Sequence, residues 1–294
     1  MKASEWISVK DRLPDVDTMV LICTTNNESI SMDKNIKLIH GDCIQEMQKL
    51  AGNKINCIIT SPPYNVDLGK NKYNKNGYNH YNDNLPYHEY LAWMKEVFQT
   101  CYTVLAEDGR LCVNIGDGKN GKITTHSDFI QICKEIGFIP LTTIVWNKNN
   151  TSNRCAWGSF LSATAPSFPR PFEYVLVFGK TDKLQHKGTN TITKDEWIEY
   201  SNGLWTFAPE KQQKKIGHPA MFPVELPYRL IQMLTFKEDT ILDIFCGAGT
   251  TALAAMKSGR KFIGIELDDK YFNIAQNRIK EHEQHSTIQR GLFD

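Results

Sequence analysis

Residues 55–65 read Ile55-Asn56-Cys57-Ile58-Ile59-Thr60-Ser61-Pro62-Pro63-Tyr64-Asn65. The opening five are short, apolar, β-branched and free of turn residues, the composition of a strand buried on both faces of a parallel sheet. Neither proline can donate to a sheet ladder, so the strand ends there, and their fixed φ angles stiffen the turn that follows. Open α/β sheets bind ligands in the crevice beyond the carboxyl ends of their strands. This turn would present a hydroxyl (Ser61), a carbonyl without a competing neighbour N–H (Pro62) and a flat ring (Tyr64) to one small space there. Alone, Pro-Pro-Tyr reads equally as a surface loop or the end of a linker, and the rest of the chain decides between them.

A second stretch of the same kind lies far downstream. Thr240-Ile241-Leu242-Asp243-Ile244-Phe245 is a strand running into Cys246-Gly247-Ala248-Gly249-Thr250-Thr251 and then a helix, Ala252 to Lys257. Glycines let backbone N–H groups approach a ligand, and the following helix terminus favours an anionic group. Ala252 stands where a third glycine of G-x-G-x-x-G would be, which disfavours a pyrophosphate. The next strand, Lys261 to Ile265, ends in Glu266, an acid at the spacing that meets two ribose hydroxyls. The whole pattern points to an adenosine ligand.

Composition bounds the rest. A chain of 294 residues with 41% hydrophobic content supports one large α/β domain with an insertion, or two domains. A formal charge of +1 means that any basic surface is local. No apolar run reaches membrane-spanning length and the N-terminus lacks a signal-peptide core, so a cytoplasmic protein is expected. The eight cysteines form no C-x-x-C pair and no zinc-like spacing, so reduced core thiols and no metal site are expected.

Between the anchors the chain alternates strand and helix. Residues 1–35 read as an N-terminal appendage ending in a polar linker. Ile36 to His40 is a strand, Gly41-Asp42-Cys43 a turn and Ile44 to Leu50 a helix; Asp42 is a ligand contact or an N-cap. The Asn-, Lys- and Tyr-rich run after Val66 includes Lys70, Lys72, Tyr73, Lys75 and Tyr78 and reads as a lid loop. Its amides and lysines suit phosphates and base edges, and its tyrosines suit stacking. Pro86 to Leu105 is an amphipathic helix, Leu111 to Ile115 a strand and Ser127 to Ile136 a helix. Strands Ile139 to Trp146 and Phe172 to Phe178 flank a long loop holding Arg154, Trp157 and Arg170, a candidate binding surface. Residues 180–217 lose the rhythm and carry Lys211, Lys214 and Lys215; they read as an inserted recognition segment or a plain surface excursion.

Two function classes compete. A nicotinamide-dependent oxidoreductase would use the glycine turn and ribose acid but leaves Ser-Pro-Pro-Tyr unexplained. An S-adenosylmethionine enzyme would place a carboxylate, not a pyrophosphate, at the helix terminus. Thr60 to Asn65 together with Asp243 to Thr251 resembles the DNA amino-methyltransferases, which modify cytosine N4 or adenine N6. The order, catalytic motif first and cofactor motif last, is similar to their permuted β group. Supporting matches are Gly41-Asp42-Cys43, Asp108-Gly109-Arg110, Trp146-Asn147-Lys148, Glu173 to Phe178 and His218 to Pro223, so the resemblance spans about residues 36–283. The stretch Glu5 to Pro14 resembles the opening of a small phage-associated domain of unknown function, which implies a bacterial or phage-encoded protein.

The resemblance implies a permuted Rossmann-like fold with a mostly parallel seven-stranded sheet. It divides the chain into an appendage (1–35), a catalytic half (36–179), a recognition insertion (180–217), a cofactor half (218–283) and a tail (284–294). It implies that Ser61 and the Pro62 carbonyl hold the target amine, that Pro63 shapes the turn, and that Tyr64 stacks on a base flipped out of double-stranded DNA. Asp243, Gly247, Gly249, Thr250 and Thr251 would hold the methionine end of the donor with His218, Phe222 and Pro223; Glu266 the ribose; Asp42 and Cys43 the adenine edge; Phe245 a wall. Serine at position 61 leans towards cytosine N4, with adenine N6 the alternative. The missing Pro-Cys pair argues against cytosine carbon-5 chemistry, which needs a thiolate. RNA or protein amide methylation and a non-catalytic nucleic-acid-binding module are lesser readings. A restriction endonuclease is a possible partner, and Gln289-Arg290-Gly291-Leu292-Phe293 resembles a sliding-clamp-binding peptide.

Overall fold

The computed structural model describes residues 29–31, 35–50, 52, 55–65, 85–149, 158–159, 161–168, 170–211, 216 and 221–291. Its strands are β1 (Ser29–Ser31), β2 (Ile36–His40), β3 (Ile55–Thr60), β4 (Leu105–Ile115), β5 (Ile139–Asn147), β6 (Phe172–Gly179), β7 (Leu204–Thr206), β8 (Thr240–Asp243) and β9 (Lys261–Glu266). They form one sheet in the order β1-β2-β9-β8-β3-β4-β6-β5-β7. The seven expected strands make up its centre, and two three-residue strands extend the edges. From β2 through β9, β8 and β3 to β4 every pair is parallel, whereas β6 runs antiparallel to both β4 and β5. The late strands β8 and β9 enter between β2 and β3, which is the permutation. The chain therefore winds away from the β3–β8 junction in both directions, and that junction is the sheet's topological switch point.

The helices are α1 (Cys43–Lys49), α2 (Tyr87–Val104), α3 (Thr125–Ile136), α4 (Lys194–Tyr200), α5 (Glu225–Leu234), α6 (Thr250–Ser258) and α7 (Asp269–Gly291). Helices α1 to α3 pack on one sheet face and α5 to α7 on the other. The buried set of α2 is Tyr90, Met94, Val97, Phe98, Cys101 and Val104, a stripe at helical spacing facing the sheet. Phe98 is fully buried against Phe129 of α3, so its truncation to alanine costs about 3–5 kcal/mol. Strand β3 is apolar on both faces because helices cover both, as its sequence predicts.

Two stretches differ from the sequence reading. Ser29–Ser31, read as linker, pairs antiparallel with β2; pairing at a sheet edge is a backbone matter and needs no apolar pattern. The stretch 180–217 is largely built into the domain. Thr181 and the backbone N–H groups of Gln185 and His186 bind Arg110 and Asp108, and His186 bridges the Asp108 and Asp239 carboxylates. Thr191 bonds Arg260 and Gln232. Asp108, Asp239 and Arg260 all lie at the amino ends of the parallel strands, away from Ser61. Helix α4, closed by a Thr193–Glu196 capping box, then packs on α5 through Arg229, which pairs with Glu199 and lies over the Tyr200 and Trp205 rings. Strand β7 runs parallel to β5 and returns the chain to the carboxyl ends, where Phe207 N–H bonds the Asn147 carbonyl at 3.3 Å. Within this stretch, residues 207–217 follow that return.

Candidate active site

Along the carboxyl edge of the sheet, neighbouring strands deliver the candidate residues in spatial order: Asp42 and Cys43 after β2, Glu266 at β9, Asp243 at β8, Ser61 to Tyr64 after β3, and Asn114 near the end of β4. Residues separated by up to some 200 positions in the chain thus share one crevice. The two anchors meet directly. Thr60 Oγ1 donates to Asp243 Oδ1 at 2.8 Å, so the proline turn and the glycine turn are tied across the switch point. Thr251 Oγ1 donates to the other oxygen at 2.6 Å and Phe245 N–H to the first at 3.2 Å. Asp243 is 1% exposed, and burial pushes its carboxyl up to about 6 against the pull of these hydrogen bonds.

The glycine turn needs its glycines. Gly247 and Gly249 have φ of 53° and 76°, the left-handed region that side chains avoid. A Cβ on Gly249 would also come within 3.1 Å of Ala275 in α7. Gly247 N–H donates to Glu266 Oε2 at 2.7 Å and Asp268 N–H to Oε1 at 2.8 Å. These bonds fix the Glu266 carboxylate at the strand end, where burial pushes it up to about 7. From α7, Arg278 reaches the Ala248 carbonyl and the Thr250 hydroxyl, bracing the turn from behind. Phe245 lies against Trp93 at 5.8 Å between ring centroids, forming one wall. Asp42 is the N-cap of α1, accepting from the Ile44 and Gln45 N–H groups at 3.1 Å each; one oxygen is so occupied. Cys43 is buried, its thiol pushed up to about 12 by burial and by Asp42. All six described cysteines are buried free thiols, with no Pro-Cys thiolate among them.

In the proline turn, Tyr90 of α2 donates to the Pro63 carbonyl at 2.7 Å, leaving the Pro62 carbonyl without a hydrogen-bond partner among the described residues. Asn65 holds a left-handed φ of 53° and is clasped to Leu85 by two side-chain hydrogen bonds. Ser61 Oγ lies 3.1 Å from the Asn114 carbonyl and 3.3 Å from the Tyr64 hydroxyl. The Tyr64 ring packs on Gly116, where a Cβ would approach it to 3.2 Å.

Sequence reasoning did not assign site roles to Thr60, Tyr90, Asn114, Gly116, Lys148 or Glu173. The signal for Asn114 and Glu173 was a polar residue inside an otherwise apolar strand run. Arg170, expected to contact DNA, pairs with the buried Asp117 carboxylate at 2.5 Å, beside His126 at 2.7 Å, so part of its guanidinium is engaged. Lys211 is exposed after β7, and Phe222 and Pro223 precede α5. Lys70, Lys72, Tyr73, Lys75, Tyr78, Arg154, Trp157, Lys214, Lys215 and His218 lie outside the described residues, as do Leu292 and Phe293. No group of three metal-binding side chains and no helix long and apolar enough to cross a membrane occurs among the described residues.

Comparison with known proteins gives a consistent result. A family model described as DNA methylase, the N6/N4 type, matches residues 55–277, and one for a protein of unknown function, DUF551, matches residues 5–96. The type II methyltransferase M.MjaVI of Methanocaldococcus jannaschii is 43% identical over 187 residues, covering 62% of this chain and 91% of its own length. M.MjaI of the same organism is 31% identical over 284 residues, covering 85% of this chain and 93% of itself. Among solved structures, PvuII DNA methyltransferase, described as cytosine-N4-specific, shares the fold with a TM-score of 0.62 and 22% identity over 85% of this chain and 91% of its own. TTHA0409 of Thermus thermophilus, complexed with S-adenosyl-L-methionine, shares it with a TM-score of 0.62 and 23% identity over 83% and 94%.

Proposed function

The chain belongs to the N6/N4 DNA methylase family, and from that premise we propose that it methylates the exocyclic N4 amine of a cytosine flipped out of double-stranded DNA. It is an S-adenosylmethionine-dependent DNA methyltransferase. The observation that carries the reading is the Thr60–Asp243 hydrogen bond, which ties the turn suited to an amine to the turn suited to the methyl donor.

S-adenosylmethionine, when bound, supplies a methyl group on a sulfonium centre. The protein's task is to make a poor nucleophile attack it, because the amine's lone pair is delocalised into the base ring. Ser61 Oγ and the Pro62 carbonyl accept the two amine hydrogens and hold them out of the ring plane, which localises the lone pair. Pro63 keeps the turn rigid, its carbonyl tied to Tyr90. The Tyr64 ring stacks on the base and eases the positive charge that develops on it. On the donor side, Glu266 accepts from the ribose hydroxyls; Asp243, Gly247, Gly249, Thr250, Thr251, His218, Phe222 and Pro223 receive the methionine end; Asp42 and Cys43 border the adenine and Phe245 walls it. Each oxygen of Glu266 accepts one backbone N–H and retains a further lone pair for a hydroxyl.

For the duplex, we propose contacts from Lys70, Lys72, Tyr73, Lys75 and Tyr78, from Arg154, Trp157 and Arg170, and from Lys211, Lys214 and Lys215. Because residues 181–191 run along the opposite end of the sheet, the recognition part of the insertion narrows to 207–217. The setting is the cytoplasm of a bacterium, with a cognate restriction endonuclease and a sliding clamp docked on Gln289 to Phe293 as proposed partners. Loss of clamp capture on Leu292→Ala with Phe293→Ala would support the second; unchanged capture would exclude this tail.

Serine at position 61 and the fold shared with a cytosine-N4-specific enzyme support the choice of base. Base-resolved mapping of plasmid DNA from cells expressing the chain is the test. N4-methylcytosine at a fixed sequence is expected; N6-methyladenine alone would overturn the choice of base and leave the amine chemistry standing.

A further inference from the structure

Behind the proline turn lies a hydrogen-bonded chain that the proposed roles leave unused. Asn114 Nδ2 donates to the Tyr64 hydroxyl at 2.8 Å and to Glu173 Oε2 at 2.8 Å. The second oxygen of Glu173 is ion-paired with Lys148, whose ammonium also sits 5.3 Å from the Trp146 ring centre. Asn114 is 3% exposed and Glu173 is 9% exposed, so these bonds form away from water. The Asn114 amide cannot be turned over, since its oxygen would then face the Glu173 carboxylate. Its Oδ1 is buried without a partner, a penalty of about 1–3 kcal/mol that an ordinary core position would not keep. Asn114 lies on β4, Glu173 on β6 and Lys148 directly after β5, and the chain they form ends at the Tyr64 hydroxyl oxygen.

The donor count decides what that convergence does. Ser61 has one hydroxyl hydrogen and two neighbours, the Asn114 carbonyl at 3.1 Å and the Tyr64 oxygen at 3.3 Å. The Tyr64 oxygen already takes the Asn114 N–H, and the Glu173 carboxylate holds the same amide from its other side. Burial, and next the charge of Glu173, keep the Tyr64 hydroxyl protonated well above the usual range. The carbonyl is thus the better acceptor for the Ser61 hydrogen, which leaves the Ser61 lone pairs for an incoming amine. Were Glu173 neutral, Tyr64 could turn its hydrogen onto Ser61 Oγ and occupy the lone pair that the amine needs.

We propose that Lys148, Glu173 and Asn114 are positioning residues that act through the Tyr64 hydroxyl to hold Ser61 as a hydrogen-bond acceptor for the target amine. This rests on the reading of Ser61 given above. It assigns Tyr64 a second task beyond stacking, carried by its hydroxyl.

The test is a double-variant comparison of Tyr64→Phe and Glu173→Gln in the full chain. Methyl transfer from tritiated S-adenosylmethionine to plasmid DNA gives kcat and KM, and calorimetry gives donor affinity. Each single variant is expected to lower kcat about 10- to 100-fold with KM values changed less than about 3-fold, as for loss of one oriented polar contact. The double variant should be no slower than the worse single, because both remove the same restraint. Multiplying effects, or a change confined to KM, would overturn the proposal. If Glu173→Gln fails to bind the donor and so to fold, Tyr64→Phe alone decides: an unchanged kcat sinks it. Activity retained by Ser61→Ala would instead defeat the underlying reading of Ser61, and that outcome is separate from the other two.

Discussion

Replacing Asp243 with asparagine should stabilise the protein while destroying its use of the donor. The carboxylate is fully enclosed, and burial holds its pKa at about 6 instead of 3.8. Ionising it in the fold at neutral pH therefore costs about 3 kcal/mol relative to the unfolded chain. The sign follows from proton binding. Below pH 4 both states are protonated and the penalty vanishes; between pH 4 and 6 only the unfolded chain ionises, so stability falls as pH rises; above 6 the penalty is constant. Asparagine removes that penalty. Its oxygen can keep the bonds from Thr60 and Phe245 N–H, while its amide faces Thr251, whose hydroxyl must turn to accept, at a loss of about 1 kcal/mol. The net gain at pH 7.5 is about 2 kcal/mol, or roughly 4–8 °C in Tm. At pH 5 the gain should be smaller by about 1.4 kcal/mol. Urea unfolding of both proteins at the two pH values, with donor binding by calorimetry, measures all of this. An asparagine variant less stable than wild type at pH 7.5, or a difference that does not change with pH, would refute the reasoning. Donor affinity should fall at least about tenfold, since a cationic ligand loses its counter-charge.

Three further outcomes are expected. Glu266 is pushed up to about 7, so if the ionised form receives the ribose, donor affinity should rise about tenfold between pH 6 and pH 8, and Glu266→Gln should flatten that titration. Burial pulls His186 down, but its bonds to Asp108 and Asp239 prevail and raise it; its contribution is full below pH 6.5 and lost as pH rises through the raised value, so His186→Ala should lower Tm more at pH 6 than at pH 9. Gly249→Ala forces a side chain into φ of 76° and against Ala275; a loss of about 1–2 kcal/mol with weaker donor binding is expected, and unchanged melting and binding would contradict the account of the turn.

The seven central strands were legible as short runs rich in apolar residues, clearest in Ile55 to Ile59, which helices bury on both faces. Strands β1 and β7 were not, since three residues paired at an edge carry no pattern. The proline turn, Asp243, the glycine turn and Glu266 were legible as local motifs at strand ends. Asn114, Lys148 and Glu173 stood in recognisable stretches, yet their shared purpose arises from the adjacency of β4, β6 and β5, which no local spacing encodes. Arg170 was chosen for its charge in a polar loop, and only the fold reveals Asp117 beneath it. The stretch 180–217 loses its rhythm for a related reason: chain that crosses the amino ends of the strands, anchored by His186 and Arg260, has no periodicity although it is firmly bonded.

The most direct test of the central claim is methyl transfer by wild type and Ser61→Ala, measured alongside donor binding on the same preparations. Wild type should place tritium from S-adenosylmethionine on an exocyclic amine of duplex DNA, and Ser61→Ala should bind the donor with unaltered affinity yet transfer no label. Labelled DNA from Ser61→Ala at the wild-type rate would contradict the account.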